Sequence, residues 1–358
     1  MGNNNTKRYL VRLTPIDAYF FGGEVTFGDN LATQNYRVRS NYLPQQSAVL
    51  GLMRYEILRQ KGCLFENKPK KEDVEKLVGS KGFDPTQPQT SYGSIIQCIS
   101  PLFIENRSEK RFYTPLPLDY NINVTFDDKI NALYNGQKKP LPILDGYNAK
   151  TYDNYLFWCS PGVSEGEDEK FLEGADNAFE KIPVNEIFKG TEQVGIQKQG
   201  GDDAFFKQTL IRLDDKYNFA FTVEVSEDLD LEKYPAIVPW GGNQSRFKIE
   251  IKEIKDFDFC TYFKQLKREN RLLLLGDAFI PDDTRNRIDF IWGNCIDNRY
   301  IVREVKDGRS WGKPPKSKLF QLQSRGSVIY QKNVAALSTL KEEIEKEACT
   351  TIGLNILI

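Results

Sequence analysis

A chain of 358 residues is longer than one typical core needs, and 40 % hydrophobic residues, with 12 % aromatics, supply apolar material for two. The 49 Lys and Arg nearly cancel the 50 Asp and Glu, so net charge points to no class of partner and charge has to be read locally. Histidine is absent, which removes the commonest general base, the commonest zinc ligand and every Ser-His or Cys-His nucleophile system.

The start, M-G-N-N-N-T, is polar and has no apolar core of a secretory signal. Gly2 and Thr6 match a myristoylation pattern, or simply belong to a polar tail. No apolar run approaches the ~18 residues that span a membrane. The six cysteines are scattered with no C-x-x-C pair, as expected of reduced thiols in a cytoplasm. In that setting the N-x-[ST] matches at Asn4, Asn106, Asn123 and Asn243 are chance occurrences.

Residues 7–14 alternate and predict a first strand. A Gly-rich loop follows. The apolar set Val49, Leu50, Met53, Ile57 and Leu58 then recurs at helical spacing, with Pro44 before it, Ser47 available as a cap and Gly62 after it. Residues 63–91 are charged and Lys/Pro-rich, and strands are expected over 92–104 and 111–118. Residues 119–190 are largely irregular by pattern. Within them, 165–180 hold seven acids against Lys170, a net of −6, as expected of a solvated insertion.

Residues 192–198 and 203–213 predict a hairpin around G-G-D-D. Strands are expected over 217–225, 246–254, 271–275, 299–305 and 327–330. A helix fits 257–270, and another fits 338–348 with Ser338 as N-cap. Strands and helices mix without a βαβ alternation, which favours α+β sheets with helices on one face. Two modules fit the length, dividing near residue 205: 1–205, with insertions at about 63–91 and 119–190, and 206–358.

The strongest local bias lies at 299–332. Nine cations (Arg299, Arg303, Lys306, Arg309, Lys313, Lys316, Lys318, Arg325, Lys332) face two acids (Glu304, Asp307), so nine minus two gives +7. Tyr300, Trp311, Phe320 and Tyr330 are interleaved. Cations neutralise phosphates, and aromatics stack on unpaired bases at ~1–3 kcal/mol each. The same pattern also fits a solvated loop beside two ordinary strands. Arg37 and Arg39 precede the first helix, and Arg54 and Arg59 lie on it. The start of that helix, Gln45-Gln46-Ser47, offers backbone N–H groups and two amides to a phosphate, or forms a plain capped end. Gly241-Gly242-Asn243-Gln244-Ser245-Arg246 is either a β-turn or an anion nest. It lacks the Lys-Ser of a P-loop. G-x-S-x-G is absent, and the doublets Asp202-Asp203 and Asp282-Asp283 sit in turn-like settings, so no residue stands out as catalytic.

The order of landmarks is informative. L-T-P-I-D-A-Y-F-F-G-G-E-V-T-F (13–27) leads to Y-L-P-Q-Q-S-A-V-L-G-L-M-R-Y-E-I-L (42–58). Later come E-Q-V-G-I-Q (192–197), L-I-R-L (210–213), W-G-G-N-Q-S-R-F (240–247) and R-G-S-V-I-Y (325–330). This resembles the repeat-associated (RAMP) proteins of type III CRISPR effector complexes, and is most similar to the third subunit of the Cmr, type III-B, complex. The resemblance implies two ferredoxin-like (RRM-like) domains with large insertions and no nuclease activity or cofactor. It implies a place beside the large polymerase-like subunit and the adjacent backbone RAMP subunits, holding the 5′ tag of the guide RNA and meeting target RNA indirectly. The implied contacts are Gln45, Gln46, Ser47 and Arg54, the turn Gly241 to Arg246, and Arg325, Gly326 and Ser327. Arg37, Arg39, Trp311, Lys316 and Lys318 join them on charge and aromatic grounds. An alternative is a RAMP endoribonuclease that processes guide precursors. Relatives of that kind commonly use histidine, which this chain lacks. A further alternative is a β-rich assembly or carbohydrate-binding protein with no RNA role.

Overall fold

The computed structural model describes residues 6–23, 37–64, 70–79, 95–134, 136–161, 179–196, 205–226, 231, 236–242, 245–255, 257–299, 318–346 and 348–358. Most of the acidic run at 165–180, of the 63–91 insertion and of the strand expected over 299–305 lies outside them. No helix among the described residues is long and apolar enough to cross a membrane.

The alternation of K-R-Y-L-V-R-L-T-P makes Lys7–Pro15 a strand whose Tyr9, Val11 and Leu13 are buried on one face. It lies between Tyr217–Val225 and Arg246–Ile254, antiparallel to both, with Val11 opposite Phe221 on one side and Ile251 on the other. The far edge of Tyr217–Val225 carries two short strands, Ile96–Ile99 and Phe103–Asn106. Arg111–Pro115, Phe157–Pro161 and Phe179–Pro183 continue the sheet, and Ala236–Pro239 ends its other side. Lys7–Pro15, Phe103–Asn106, Tyr217–Val225 and Arg246–Ile254 thus stand in the spatial order fourth, first, third, second.

Helix Gln46–Gln60 covers the Tyr9 face, where Val49, Leu50, Met53 and Ile57 join the largest core. Gln45, not Ser47, occupies the N-cap position, and no side chain caps the helix. At the other end Gly62 adopts φ +68°, a backbone open to glycine at little cost, so the helix stops there as expected. On the opposite sheet face Leu10, Phe103 and Ala220 pack against Phe259 and Phe263. Those two phenylalanines belong to a single turn, Phe259–Tyr262, and the residue after it, where a full helix was expected over 257–270.

A second, smaller sheet has the same order. Val328–Tyr330 sits between Arg271–Leu273 and Phe290–Trp292, antiparallel to both. The chain end flanks Arg271–Leu273 through the Leu274–Leu357 bridge and reciprocal bonds between Leu273 and Ile358. Helices Asp282–Arg287 and Ala336–Glu345 complete the crossovers, with Leu337, Leu340 and Ile344 in a third core. Ala335 rather than Ser338 is the N-cap of the last helix, and the Ser338 hydroxyl donates back to the Ala335 carbonyl.

Two expectations meet differences. The division near 205 does not fall at a sheet edge, because Tyr217–Val225 and Arg246–Ile254 pair with the first strand. The change of sheet comes between Ile254 and Arg271. The stretch 119–190 is not irregular throughout. It contains a long hairpin, Asn123–Tyr134 with Gln137–Asp145, besides the strand Phe157–Pro161 and the edge strand Phe179–Pro183. The expected hairpin near 192–213 is present as Phe188–Ile196 with Phe205–Leu213, extended by Arg37–Arg39 in parallel.

The two sheets meet at a buried polar seam. Arg271, on the first strand of the small sheet, meets Asp119, which follows a strand of the large one. The Tyr330 hydroxyl donates to the same Asp119 Oδ2 at 2.5 Å. Burial pulls the Arg271 guanidinium down from its ordinary value, and the Asp119 charge opposes that shift.

Candidate nucleic-acid interface

Beyond the first strand the chain is pinned by Tyr19, whose backbone exchanges hydrogen bonds of 2.7 and 3.0 Å with Ile211. Phe21 then drops into an aromatic core, 5.1 Å from Trp240 and 5.9 Å from Phe247 between ring centroids. Burying that ring fixes the backbone of Phe20 and Phe21. Two serines take the amides there: Phe20 N–H donates to Ser245 Oγ (3.1 Å) and Phe21 N–H to Ser40 Oγ (2.8 Å). The chain neighbours Arg246, after Ser245, and Arg39, before Ser40, are exposed.

The double glycine explains itself by the same geometry. Gly242 N–H donates to the Phe20 carbonyl at 2.7 Å, and Ser245 N–H to the Gly242 carbonyl at 3.1 Å. Gly241 has φ +87°, and a Cβ there would stand 2.6 Å from the Phe20 oxygen. A Cβ on Gly242 would stand 2.8 Å from the Phe20 ring. Only glycine permits this approach. The amides of Gly242 and Ser245 are consumed inside the protein, so they are not available as an anion nest. Asn243 and Gln244 lie outside the described residues.

The helix start belongs to the same cluster. Trp240 Nε1 donates to the Ala48 carbonyl at 3.0 Å. Gln45 and Ser47 are half-buried beside it. Gln46 is turned inward, and its amide donates to the Ser100 carbonyl at 2.8 Å. Its sequence-expected role as an RNA contact is therefore corrected to an internal tie. Arg54 is half-buried eight residues along, about 12 Å from the helix start at 1.5 Å per residue.

Arg39 is held in place by Tyr42. Its guanidinium lies 5.7 Å from the Tyr42 ring centroid and donates to the hydroxyl at 3.0 Å, while that ring stacks on Phe188 at 4.8 Å. Register puts Arg39 opposite Thr209 and Arg37 opposite Lys207. Lys207 is exposed and was missed in the sequence. The alternation of F-F-K-Q-T-L-I-R-L, with a cation at an outward position, was its only signal.

The late landmark behaves differently. Arg325 is only 7 % exposed; it donates to the Leu102 carbonyl at 2.6 Å, and its backbone N–H bonds Asp277 at 2.9 Å. Gly326 and Ser327 are buried, with Ser327 Oγ among Gln323 and Ser324. These three residues form a joint between the sheets and are removed from the exposed contact set. The reason is a pair of partners far away in sequence. Lys318 is exposed, with Nζ 5.0 Å above the Phe320 ring. Trp311 and Lys316 lie outside the described residues. The strands Cys295–Asn298 and Phe320–Gln323, which pair with each other, flank that segment. Among the described residues no group of three Cys, Asp or Glu side chains is placed to hold a metal.

The turn therefore rests on an aromatic base, and Arg39, Lys207 and Arg246 are exposed around it. A family model described as "CRISPR-associated protein (Cas_Cmr3)" matches residues 11–358. Among solved structures, a chain of "Cryo-EM structure of the Type III-B Cmr-beta bound to cognate target RNA" superposes with TM-score 0.51 at 13 % identity, covering 98 % of this chain and 96 % of that one. A chain of the same assembly bound to cognate target RNA and AMPPnP, state 1, gives the same values. At that identity the likeness speaks for the fold. No curated protein matches the sequence.

Proposed function

The chain belongs to the CRISPR-associated Cas_Cmr3 family, and from that premise we propose that it is a non-catalytic, RNA-binding subunit of a type III-B interference complex, acting in antiviral defence in the cytoplasm. It holds the repeat-derived 5′ tag of the guide RNA, contacts the large polymerase-like subunit and adjacent backbone RAMP subunits, and meets target RNA indirectly. The repeated strand order supports two ferredoxin-like modules, over 7–254 and 271–358.

One observation carries the RNA reading. Ser40 and Ser245 clamp consecutive amides of Phe21 and Phe20, the chain neighbour of each serine is an exposed arginine, Arg39 or Arg246, and Trp240 ties the same turn to the helix start at Ala48. Guanidinium groups on a fixed base suit phosphate oxygens, which give affinity without reading sequence. That fits a complex in which base pairing carries the sequence information. The lack of histidine supports a binding role.

The test is retention of a tag-bearing guide RNA by the purified chain over a salt series. Arg39→Glu with Arg246→Glu is expected to weaken binding at least tenfold and to flatten the salt dependence. Unchanged affinity removes this surface from the RNA site. Cleavage of repeat RNA by the chain without metal would favour the processing-enzyme alternative.

A further inference from the structure

The large sheet is covered unequally on its two faces. Tyr9, Val11, Leu13, Phe247 and Ile249 share a core with helix Gln46–Gln60. On the other face Phe259 and Phe263 pack only over Leu10, Phe103 and Ala220. The half of that face nearer Pro15 stays open, with Lys248 55 % and Glu250 50 % exposed.

Register fixes which side chains share the open half. Burial alternates along Arg246–Ile254, so Arg246, Lys248, Glu250 and Lys252 point outward. Lys248 lies opposite Thr14 on one side and Ile237 on the other, and Glu250 lies opposite Arg12. Ile16 N–H donates to the Arg246 carbonyl at 3.0 Å. On the far strand, Glu105 holds Arg12 by two bonds of 2.6 and 2.7 Å, and Arg107 is the next outward residue.

These positions carry five cations (Arg12, Arg107, Arg246, Lys248, Lys252) and two acids (Glu105, Glu250), so five minus two gives +3. Glu250 sits among the cations. Its bond from Lys248, with the charges of Arg107 and Arg12, holds its carboxyl below the ordinary value against a small opposing effect of burial. Arg246 and Lys252 have no ion-pair partner among the described residues. Alternate side chains on a strand stand about 6.7 Å apart. That step is close to the one between successive phosphates of an extended single strand.

The charge selects the occupant. A protein contact is built on a centre depleted of charge, with charge at the rim. Here the order is reversed: Lys248, Glu250 and Arg12 occupy the centre, and the exposed Ile16 and Ile237 lie at the edge. An RRM sheet reads bases by stacking them on aromatics of its central strands. The central strands here offer Arg12, Thr14, Asn218 and Ala220 instead, none of which stacks a base as an aromatic does. Contact through phosphates is what remains.

We propose that the RNA held at the Phe20 turn continues from Arg246 across this open half of the sheet, its phosphates meeting Lys248, Lys252 and Arg107. The proposal rests on the RNA reading above and adds the path of the strand. Its test is the affinity of the full chain for a tag-bearing guide RNA over a salt series. Lys248→Glu with Lys252→Glu is expected to weaken binding at least fivefold and to reduce the salt slope by about 1.4, the share of two phosphate contacts on a single strand. Glu250→Gln is expected to tighten binding at least twofold, which lost packing cannot do. Both variants are expected to keep the parent circular dichroism spectrum. In the complex assembled from its protein subunits and guide RNA, a photoreactive benzoylphenylalanine in place of Ile237 is expected to attach to the RNA. Arg39→Glu, which lies off this sheet, reports the RNA reading separately. Weakening by Arg39→Glu with unchanged affinity in Lys248→Glu with Lys252→Glu overturns this path alone. Attachment of position 237 only to a protein subunit overturns it as well. Unchanged affinity in all the variants removes the RNA reading with it.

Discussion

Arg271 Nε lies 2.6 Å from Asp119 Oδ2, and neither side chain is more than 2 % exposed. The pair joins the two sheets, with Tyr330 as a third member. Removing one partner leaves an uncompensated buried charge, which typically costs about 3–5 kcal/mol. Asp119→Ala is therefore expected to lower stability by that amount in urea unfolding. Replacing both, as Asp119→Leu with Arg271→Met, is expected to cost much less. Equal losses in the two variants would show that packing, not charge pairing, holds the seam.

Gly241 is the least replaceable position of the surface turn. Gly241→Ala has to fit a Cβ 2.6 Å from a carbonyl oxygen at φ +87°. A cost of at least ~1–3 kcal/mol is expected, read as a lower Tm. A variant as stable as the parent would mean that the turn rearranges freely.

Lys207 is expected to behave as an RNA contact although it lacks a family landmark. Lys207→Glu should weaken RNA binding and reduce the salt slope by about one contact, with Tm unchanged. Arg325→Ala should do the reverse. It leaves the Leu102 carbonyl without its donor and removes the side-chain contacts to Asp277, though the backbone N–H bond to Asp277 stays, so Tm falls by the equivalent of about 1–3 kcal/mol while the salt slope holds.

The basic run at 299–332 gives a fourth expectation. Charge reversal at Lys316 and Lys318 should reduce RNA retention with little change in Tm. Equal retention by parent and variant removes that run from the binding surface.

Where one local rule acts alone, the sequence reads well. Strict alternation marks Lys7–Pro15, Tyr217–Val225 and Arg246–Ile254, and helical spacing marks Gln46–Gln60. The hairpin at 123–145 escapes notice because Asp127-Asp128 and two prolines break its alternation, with a register shift between Phe126 and Asn131. Asp282–Arg287 shows no apolar period, since only Thr284 is buried along it. Caps are misplaced because Gln45 and Ala335 make no side-chain bond that a sequence signal could announce. In the site, Arg39 and Arg325 look alike as letters. One finds Tyr42 three residues away and stays exposed; the other finds Leu102 across 223 residues and is buried. Contacts at that separation leave no local trace.

The pairing of Lys7–Pro15 with strands more than 200 residues downstream also sets an order of events at the ribosome. The first strand emerges early and waits, with both edges open, until Tyr217–Val225 and then Arg246–Ile254 have been made. Such distant closure slows folding and leaves sticky edges exposed meanwhile. A truncated product ending at residue 205 would be an aggregating fragment with a helix and half a sheet, whereas one ending near 256 would hold every strand that the first sheet needs.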